Sequence, residues 1–417
     1  MSSNLNNLYS ESIDWLFSQF PSYQNTGANA YKPDLGNIRR LCHFFDNPQD
    51  ELKFIHVAGT NGKGSVSSML ASILTESGEK TGLFTSPHIH DFRERIRING
   101  EMISEEEVVS FCTHLRASLL DFEPSFFEIT CCMALVHFKR NHCSIAVIET
   151  GLGGRLDATN IITPILSIIT NISLEHMQFL GNDLPSIAGE KAGIIKPHVP
   201  VVIGRSNALT HDVFQSKAND EHAEIIFCDA LPLPDSSSMP LLGTYQQENV
   251  RTVYAAVEVL NQHGFDISNS RIHEGLENLK RNTGIFGRME VIQRNPLIIL
   301  DVSHNEEGIR STLEYIHSEN KGQLYLIYGS SADKDIDSIL PLFPSNAHLS
   351  FCAFKNTRSL SIEQLKKMAT GLSPSPNCFA NIFDALGEAK KLATEKDTIL
   401  VFGSFFLISD YFSIENP

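Results

Sequence analysis

Phe54-Ile-His-Val-Ala-Gly-Thr-Asn-Gly-Lys-Gly-Ser65 decides the fold, because an apolar, β-rich run from Phe54 to Val57 stops at a glycine-rich turn carrying one lysine and one hydroxyl. Apolar residues then recur at Val66, Met69, Leu70, Ile73 and Leu74, the offsets i, i+3, i+4, i+7 and i+8 of a helix that begins at the loop. Glycines without Cβ let consecutive backbone N–H groups turn toward an anion, and the helix N-terminus adds partial positive charge at the same spot. The loop Gly59, Thr60, Asn61, Gly62, Lys63, Gly64 and Ser65 is therefore expected to cradle phosphates, with Lys63 reaching the β/γ-phosphates and Ser65 ligating Mg²⁺. Its spacing, Gly-x-x-Gly-Lys-Gly-Ser, departs from the common Gly-x-x-x-x-Gly-Lys-Ser/Thr pattern, so the flanking strand and helix carry the inference; the plain alternative is a glycine-rich turn.

Outward from the loop, apolar runs at Ile145–Ile148, Ile165–Ile169 and Val199–Ile203 alternate with helical patterns up to about residue 205, as in a parallel sheet covered on both faces. A helix is expected from about Asn249 to His263, with Val250, Val253, Tyr254, Val257 and Leu260 on one stripe and Gly264 beyond its end. A second βα series opens with Leu297–Asp301 and continues through Leu324–Tyr328, Leu349–Phe351 and Ile399–Phe402, which puts a boundary near 285 and divides the chain into 1–285 and 286–417. Ser22–Leu35, polar with scattered aromatics, is either a loop over the site or a surface connection, and Leu231–Pro240 reads as a linker or hairpin tip.

The chain has 417 residues, 42% of them hydrophobic, and a net charge of −16, which argues against a nucleic-acid or anionic-membrane surface. Its first residues lack a basic and an apolar segment, and no run approaches the ~18 apolar residues of a membrane span, so a cytoplasmic location is expected. The eight cysteines include no Cys-x-x-Cys pair and read as buried reduced thiols.

Glu149 ends the run Ile145–Ile148, and His176 follows the next strand in the same manner. Ligands of open α/β sheets bind beyond the carboxyl ends of strands, and a hard carboxylate oxygen beside phosphates suits Mg²⁺. Lys191, in Gly189-Glu-Lys-Ala-Gly193, taken alone reads as a solvated surface lysine.

These residues resemble the Mur-ligase superfamily and, within it, the folylpolyglutamate synthase/dihydrofolate synthase family. The likeness rests on His56–Val66, Thr85-Ser-Pro-His88, Phe92–Arg97, Phe127-Glu128, Gly151–Asn160, Glu190–Ile194, Gly287-Arg288, Asp301, His304-Asn305 and Asp333-Lys-Asp335, in order along nearly the whole chain. It implies a P-loop-type, mostly parallel sheet domain followed by a smaller Rossmann-like α/β domain. It also implies ATP at Gly59–Ser65 and at Arg288, Asp301 and His304. Two Mg²⁺ ions would be held by Ser65, Ser86, Glu149 and His176, with Lys191 carried as a carbamate that adds a metal ligand; Lys63, His176 and Lys191 would be the catalytic side chains. The pterin end of the acceptor would lie against Phe127, Asp157 and Ala158, where Phe127 offers an aromatic face and Asp157 an acceptor for N–H donors. Ser22–Leu35 would be the loop over the folate.

The chain departs from the family's common Asp-His with Glu175-His176, and from Asp-Gly-Ala-His-Asn with Asp301-Val-Ser-His-Asn305; both keep the histidine, and the role of Glu175 stays open. The implied activity is an ATP-dependent ligation of L-glutamate to dihydropteroate or to a tetrahydrofolate (poly)glutamate through an acyl phosphate; a monomer is the default expectation for the oligomeric state, which the sequence leaves open. A cell-wall ligase acting on a UDP-muramoyl peptide and a nucleotide-controlled binding protein are the alternatives. Which of the two glutamate ligations the chain performs, or whether it performs both, is not legible in the sequence.

Overall fold

The computed structural model of the protein describes residues 2–20, 34–118, 120–233 and 241–412. Most of the expected folate-covering segment (21–33) and most of the expected linker (234–240) lie outside the described residues. The chain forms two units, residues 1–240 with 246–285, and residues 241–245 with 286–417. Among the described residues no helix is long and apolar enough to cross a membrane.

The first unit is built on eight strands: β1 (Phe54–Ala58), β2 (Thr81–Phe84), β3 (Ile96–Ile98), β4 (Glu101–Met102), β5 (Ile145–Glu149), β6 (Leu166–Ile169), β7 (Val201–Ile203) and β8 (Ile225–Phe227). Their order is β4-β3-β2-β5-β1-β6-β7-β8, parallel except where β3 meets β2 and β4. Every residue of β1 is buried, as its near-continuous apolar run demands for a strand covered on both faces. It pairs with β5 on one side and β6 on the other, so the turns after β1, β5 and β6 open side by side.

The helix Lys63–Glu76 follows the glycine turn as expected, but its burial is not a stripe: every residue from Ser65 to Leu74 is buried. The cause is a second cover, the helix Asn269–Glu277, which comes so close that a Cβ on Gly275 would lie 2.5 Å from Ile73 Cα. Ser67, Ser68 and Ser72 therefore sit inside, and Ser72 Oγ donates to Gly275 O (2.5 Å). Each fully buried aliphatic side chain on this helix contributes about 1.5–3 kcal/mol.

An N-terminal helix, Ser2–Gln19, carries no strong signal in the sequence, where polar residues dominate its first turns. Tertiary contacts hold it: Leu16 is fully buried, and the Tyr9 hydroxyl donates to Asp91 Oδ1 (2.9 Å). The helix expected from Asn249 starts earlier, at Thr244, and ends at Gln262.

The second unit carries β9 (Glu290–Arg294), β10 (Leu297–Leu300), β11 (Leu324–Tyr328), β12 (His348–Cys352), β13 (Asn377–Phe379) and β14 (Thr398–Phe402) in the order β13-β12-β11-β14-β10-β9. Only the β9–β10 pair is antiparallel. Its core gathers Ile299, Leu326, Tyr328, Phe351, Leu400 and Phe402.

Candidate active site

At the carboxyl end of β1 the backbone turns through Gly59 (φ +144°) and Gly62 (φ +85°). A Cβ on Gly59 would lie 1.9 Å from Thr170 Oγ1, and one on Gly62 2.3 Å from Asn249 Oδ1, so a side chain at either position would fill the cradle. The turn is tied to the segment after β6: Thr60 N donates to Asn171 O (2.9 Å), Asn61 N to Asn171 Oδ1 (2.9 Å) and Thr170 Oγ1 to Asn61 O (2.6 Å). Gly62 is the N-cap of the helix and offers no side-chain acceptor, which suits a helix terminus meant for an external anion. Lys63 Nζ folds back onto the carbonyls of Gly59 and Thr60, both at 2.9 Å, so its charge stays at the loop.

Lys191 belongs to the helix Leu184–Ala192 and is 1% exposed, contrary to its surface character in the sequence. Its Nζ donates to Gly59 O (2.6 Å) and Glu175 Oε1 (3.0 Å). Burial pulls its pKa down to about 8, against the attraction of Glu175. Burial alone would raise the Glu175 carboxyl, but Lys191, Lys63 and His176 together hold it well below the ordinary range. Glu175 thus has a partner that the sequence did not disclose. His176 follows it in a left-handed conformation (φ +46°) at the start of the short helix Met177–Leu180.

Ser86 and Glu149 meet at the neighbouring strand ends, Ser86 N donating to Glu149 Oε2 (2.9 Å). Glu149 is 3% exposed, and beside it runs Arg95, equally buried, whose guanidinium burial brings to a pKa of about 10. Arg95 Nε donates to His88 Nδ1 (2.7 Å), and its guanidinium stands 5.4 Å from the Phe126 ring centroid. Among the described residues no three His, Cys, Asp or Glu side chains gather as a metal site. The expected ligand set contains only two such groups, Glu149 and His176, beside hydroxyls and a lysine. That set fits Mg²⁺, which keeps waters and takes substrate phosphate oxygens rather than an all-protein cage. As an amine ion-paired to Glu175, Lys191 is not a metal ligand; its lowered pKa is what carbamate formation requires.

Directly after Glu149 the chain makes the turn Gly151–Asn160. Asp157 is buried beneath it: Oδ2 accepts from Gly151 N (3.0 Å) and Leu152 N (2.7 Å), and Oδ1 from Thr159 N (3.0 Å) and Thr159 Oγ1 (2.6 Å). All four lone-pair positions of the carboxylate are engaged by its own turn. Asp157 therefore shapes the turn from beneath. Phe127, half-buried at the start of the helix Phe126–Arg140, lies against Gly151, where a Cβ would be 2.6 Å from its ring. Ala158 is 7% exposed.

Gln246 and Asn249, three apart on one helix, also reach the loop: Gln246 Nε2 is 3.4 Å from Ser65 Oγ, and Asn249 Nδ2 donates to Gln246 Oε1 (2.9 Å). Two amides among the buried residues of that helix were the available signal.

In the second unit, Asp301 directly follows β10 and accepts from Met289 N (2.8 Å), Ser303 N (2.8 Å) and Thr312 Oγ1 (3.3 Å), so it braces its own loops. His304 Nδ1 lies 3.0 Å from Val302 O, which makes Nδ1 the donor. Arg288 stands 5.2 Å from the Phe405 ring centroid, and the His304 ring 5.8 Å from the same centroid, so Phe405 gathers the two polar side chains.

The Mur ligase middle domain family matches residues 57–232, and the Mur ligase, glutamate ligase domain family matches residues 287–405. The dihydrofolate synthase/folylpolyglutamate synthase of Bacillus subtilis is 32% identical, over 91% of this chain and 94% of that protein. A probable bifunctional folylpolyglutamate synthase/dihydropteroate synthase of Haloferax volcanii is 31% identical over 96% of this chain; the chain spans 50% of its length. A solved Escherichia coli structure in complex with DHPP and ADP shares 26% identity and a TM-score of 0.84, over 97% of each chain. Matched by both Mur-ligase domains and by these relatives along nearly its whole length, the chain belongs to the folylpolyglutamate synthase/dihydrofolate synthase family of Mur ligases, which are ATP-dependent acid–amino-acid ligases.

Proposed function

We propose that the protein joins L-glutamate to the carboxylate of a dihydropteroate or folate acceptor at the expense of ATP. One observation carries the reading: a single turn links Glu149, beside Ser86, to the Gly151 surface against Phe127, and it lies at the end of the strand next to the phosphate loop. Phosphates and the aromatic end of an acceptor would then share one rim of the sheet. The solved complex of an Escherichia coli relative with DHPP and ADP supports this choice of ligands.

The acceptor carboxylate attacks the γ-phosphate to give ADP and an acyl phosphate; the glutamate amine attacks that carbonyl and releases phosphate. The work left to the chain is positioning and charge stabilisation. Gly59–Ser65 would bind the phosphates, with Lys63 supplying the charge it now rests on two loop carbonyls. Ser65, Ser86, Glu149 and His176 would hold Mg²⁺, two ions in our reading, which neutralises phosphate charge when bound. Lys191 as a carbamate would add an anionic oxygen. Phe127, Asp157 and Ala158 would meet the pterin, with Asp157 also keeping their turn in shape, and Arg288, Asp301 and His304 would meet the nucleotide. We expect residues 1–285 and 286–417 to act as the nucleotide and glutamate-ligase domains of a cytoplasmic monomer.

The test is ADP release with ATP, Mg²⁺ and L-glutamate, supplying 7,8-dihydropteroate or a reduced monoglutamyl folate. Turnover with one or both acceptors, falling about 10²–10³-fold or more in Lys63→Ala, is the expected result. ADP release independent of either acceptor would overturn the reading. An intact mass heavier by one CO₂, lost in Lys191→Ala, checks the carbamate; an unmodified mass in an active preparation would exclude it.

A further inference from the structure

β1 carries an anomaly three residues before the phosphate loop. Its neighbours Phe54, Ile55, Val57 and Ala58 are fully buried apolar residues, yet His56 sits among them with no exposure at all. A strand covered on both faces has no use for an imidazole as filler, and Val or Ile would suit it better. The ring is also incompletely paired, since His56 Nδ1 is buried with no hydrogen-bond partner, an arrangement that costs about 1–3 kcal/mol.

What the imidazole does contact is specific. His56 Nε2 is 2.8 Å from Thr159 Oγ1, and Thr159 Oγ1 is 2.6 Å from Asp157 Oδ1. The carboxylate can only accept, so the threonine hydroxyl gives its proton to Asp157 and accepts from His56 Nε2–H. The unpartnered Nδ1 is then the bare nitrogen of a neutral ring, in keeping with burial that lowers the His56 pKa to about 3. Asp157 extends the chain of bonds through Oδ2 to the N–H groups of Gly151 and Leu152, and Gly151 is the residue on which Phe127 packs. One continuous relay therefore runs from the strand that launches the phosphate loop to the turn that faces the aromatic ring.

We propose that His56 is a positioning residue for the acceptor: through Thr159 and Asp157 it fixes the turn Gly151–Ala158 against Phe127 and so sets affinity for the pterin-bearing substrate. The inference rests on the ligase reading above. It predicts an effect confined to one substrate, because among the described residues the side-chain hydrogen bonds of His56 and Thr159 run to the acceptor turn and not to the loop Gly59–Ser65.

The experiment is steady-state glutamate ligation by the full-length enzyme, varying acceptor, ATP and glutamate in turn, for wild type, His56→Leu, Thr159→Val, Thr159→Ser and the double variant His56→Leu/Thr159→Val. Losing one buried hydrogen bond should raise the acceptor KM about tenfold in His56→Leu and in Thr159→Val, with the KM for ATP within about twofold. Thr159→Ser, which keeps the hydroxyl, should restore the acceptor KM, and the double variant should be no worse than Thr159→Val alone because both act on one relay. Should His56→Leu fail to fold, Thr159→Val, a near-isosteric change outside the strand, carries the test. An unmoved acceptor KM in Thr159→Val, or a parallel rise in the KM for ATP, would overturn the inference and leave the ligase reading standing. No ligation by wild type with any pterin acceptor would overturn both.

Discussion

At the scale of single residues the lysine-glutamate pair at the phosphate loop is the instructive case. Lys191 looks like a surface lysine because nothing within several residues of it requires burial; its partners, Gly59 and Glu175, are 132 and 16 residues away in sequence. Distance in sequence likewise hides Arg95 beside Glu149 and Gln246 beside Ser65. The pair makes a pH prediction whose sign follows from two opposite shifts. The Glu175 carboxyl is held below its ordinary value of 4.5, so its contribution is complete above that pH and lost as pH falls through the lower folded value. Lys191 titrates near 8 instead of 10.5, so folding disfavours its charge below that pH and the penalty lifts as pH rises. Glu175→Gln should therefore destabilise the first unit by about 3 kcal/mol at pH 6, where a buried ammonium loses its counter-charge, and by clearly less at pH 9, where the amine is neutral. Urea unfolding followed through the single tryptophan, Trp15, measures it; an equal loss at both pH values would refute the pairing.

Elements were legible in proportion to their length and periodicity. The loop strand, its helix and the parallel strands of both units follow from long apolar runs, whereas β3 and β4, with three and two residues, are too short to carry a period. The helix Thr244–Gln262 begins five residues before Asn249, the start its apolar stripe suggests, because Gly243, at φ +109°, makes the turn that starts it. Full burial of the helix Lys63–Glu76 was not legible, since its three inward serines look solvent-facing until the helix Asn269–Glu277 covers them. That contact predicts that Gly275→Ala destabilises the first unit by about 1–3 kcal/mol, because the added methyl meets the Ile73 backbone rather than a mobile side chain. Trp15 fluorescence in denaturant reads this too, and a neutral effect would mean that the two helices can part without loss.

At the scale of the whole molecule, residues 241–245 group with the second unit although the helix they enter runs on in the first. Tyr245 packs against the second unit's core, so Tyr245→Ala should remove about 1–2 kcal/mol from that unit and lower its calorimetric transition by about 3–8 °C. The Trp15 transition should stay in place; a shift there instead would assign Tyr245 to the other unit. The sequence by itself determined the α/β class, the strand, glycine turn and helix at Phe54–Glu76, and the family, because each is written in local pattern: apolar runs, glycine spacing and short motifs in order. Only the tertiary structure decided that Lys191 is buried on Glu175, that Asp157 spends all its acceptors on its own turn, and that His56 holds that turn through Thr159. Those facts are pairings between side chains far apart in sequence, and no local pattern records which distant polar group will satisfy a buried one.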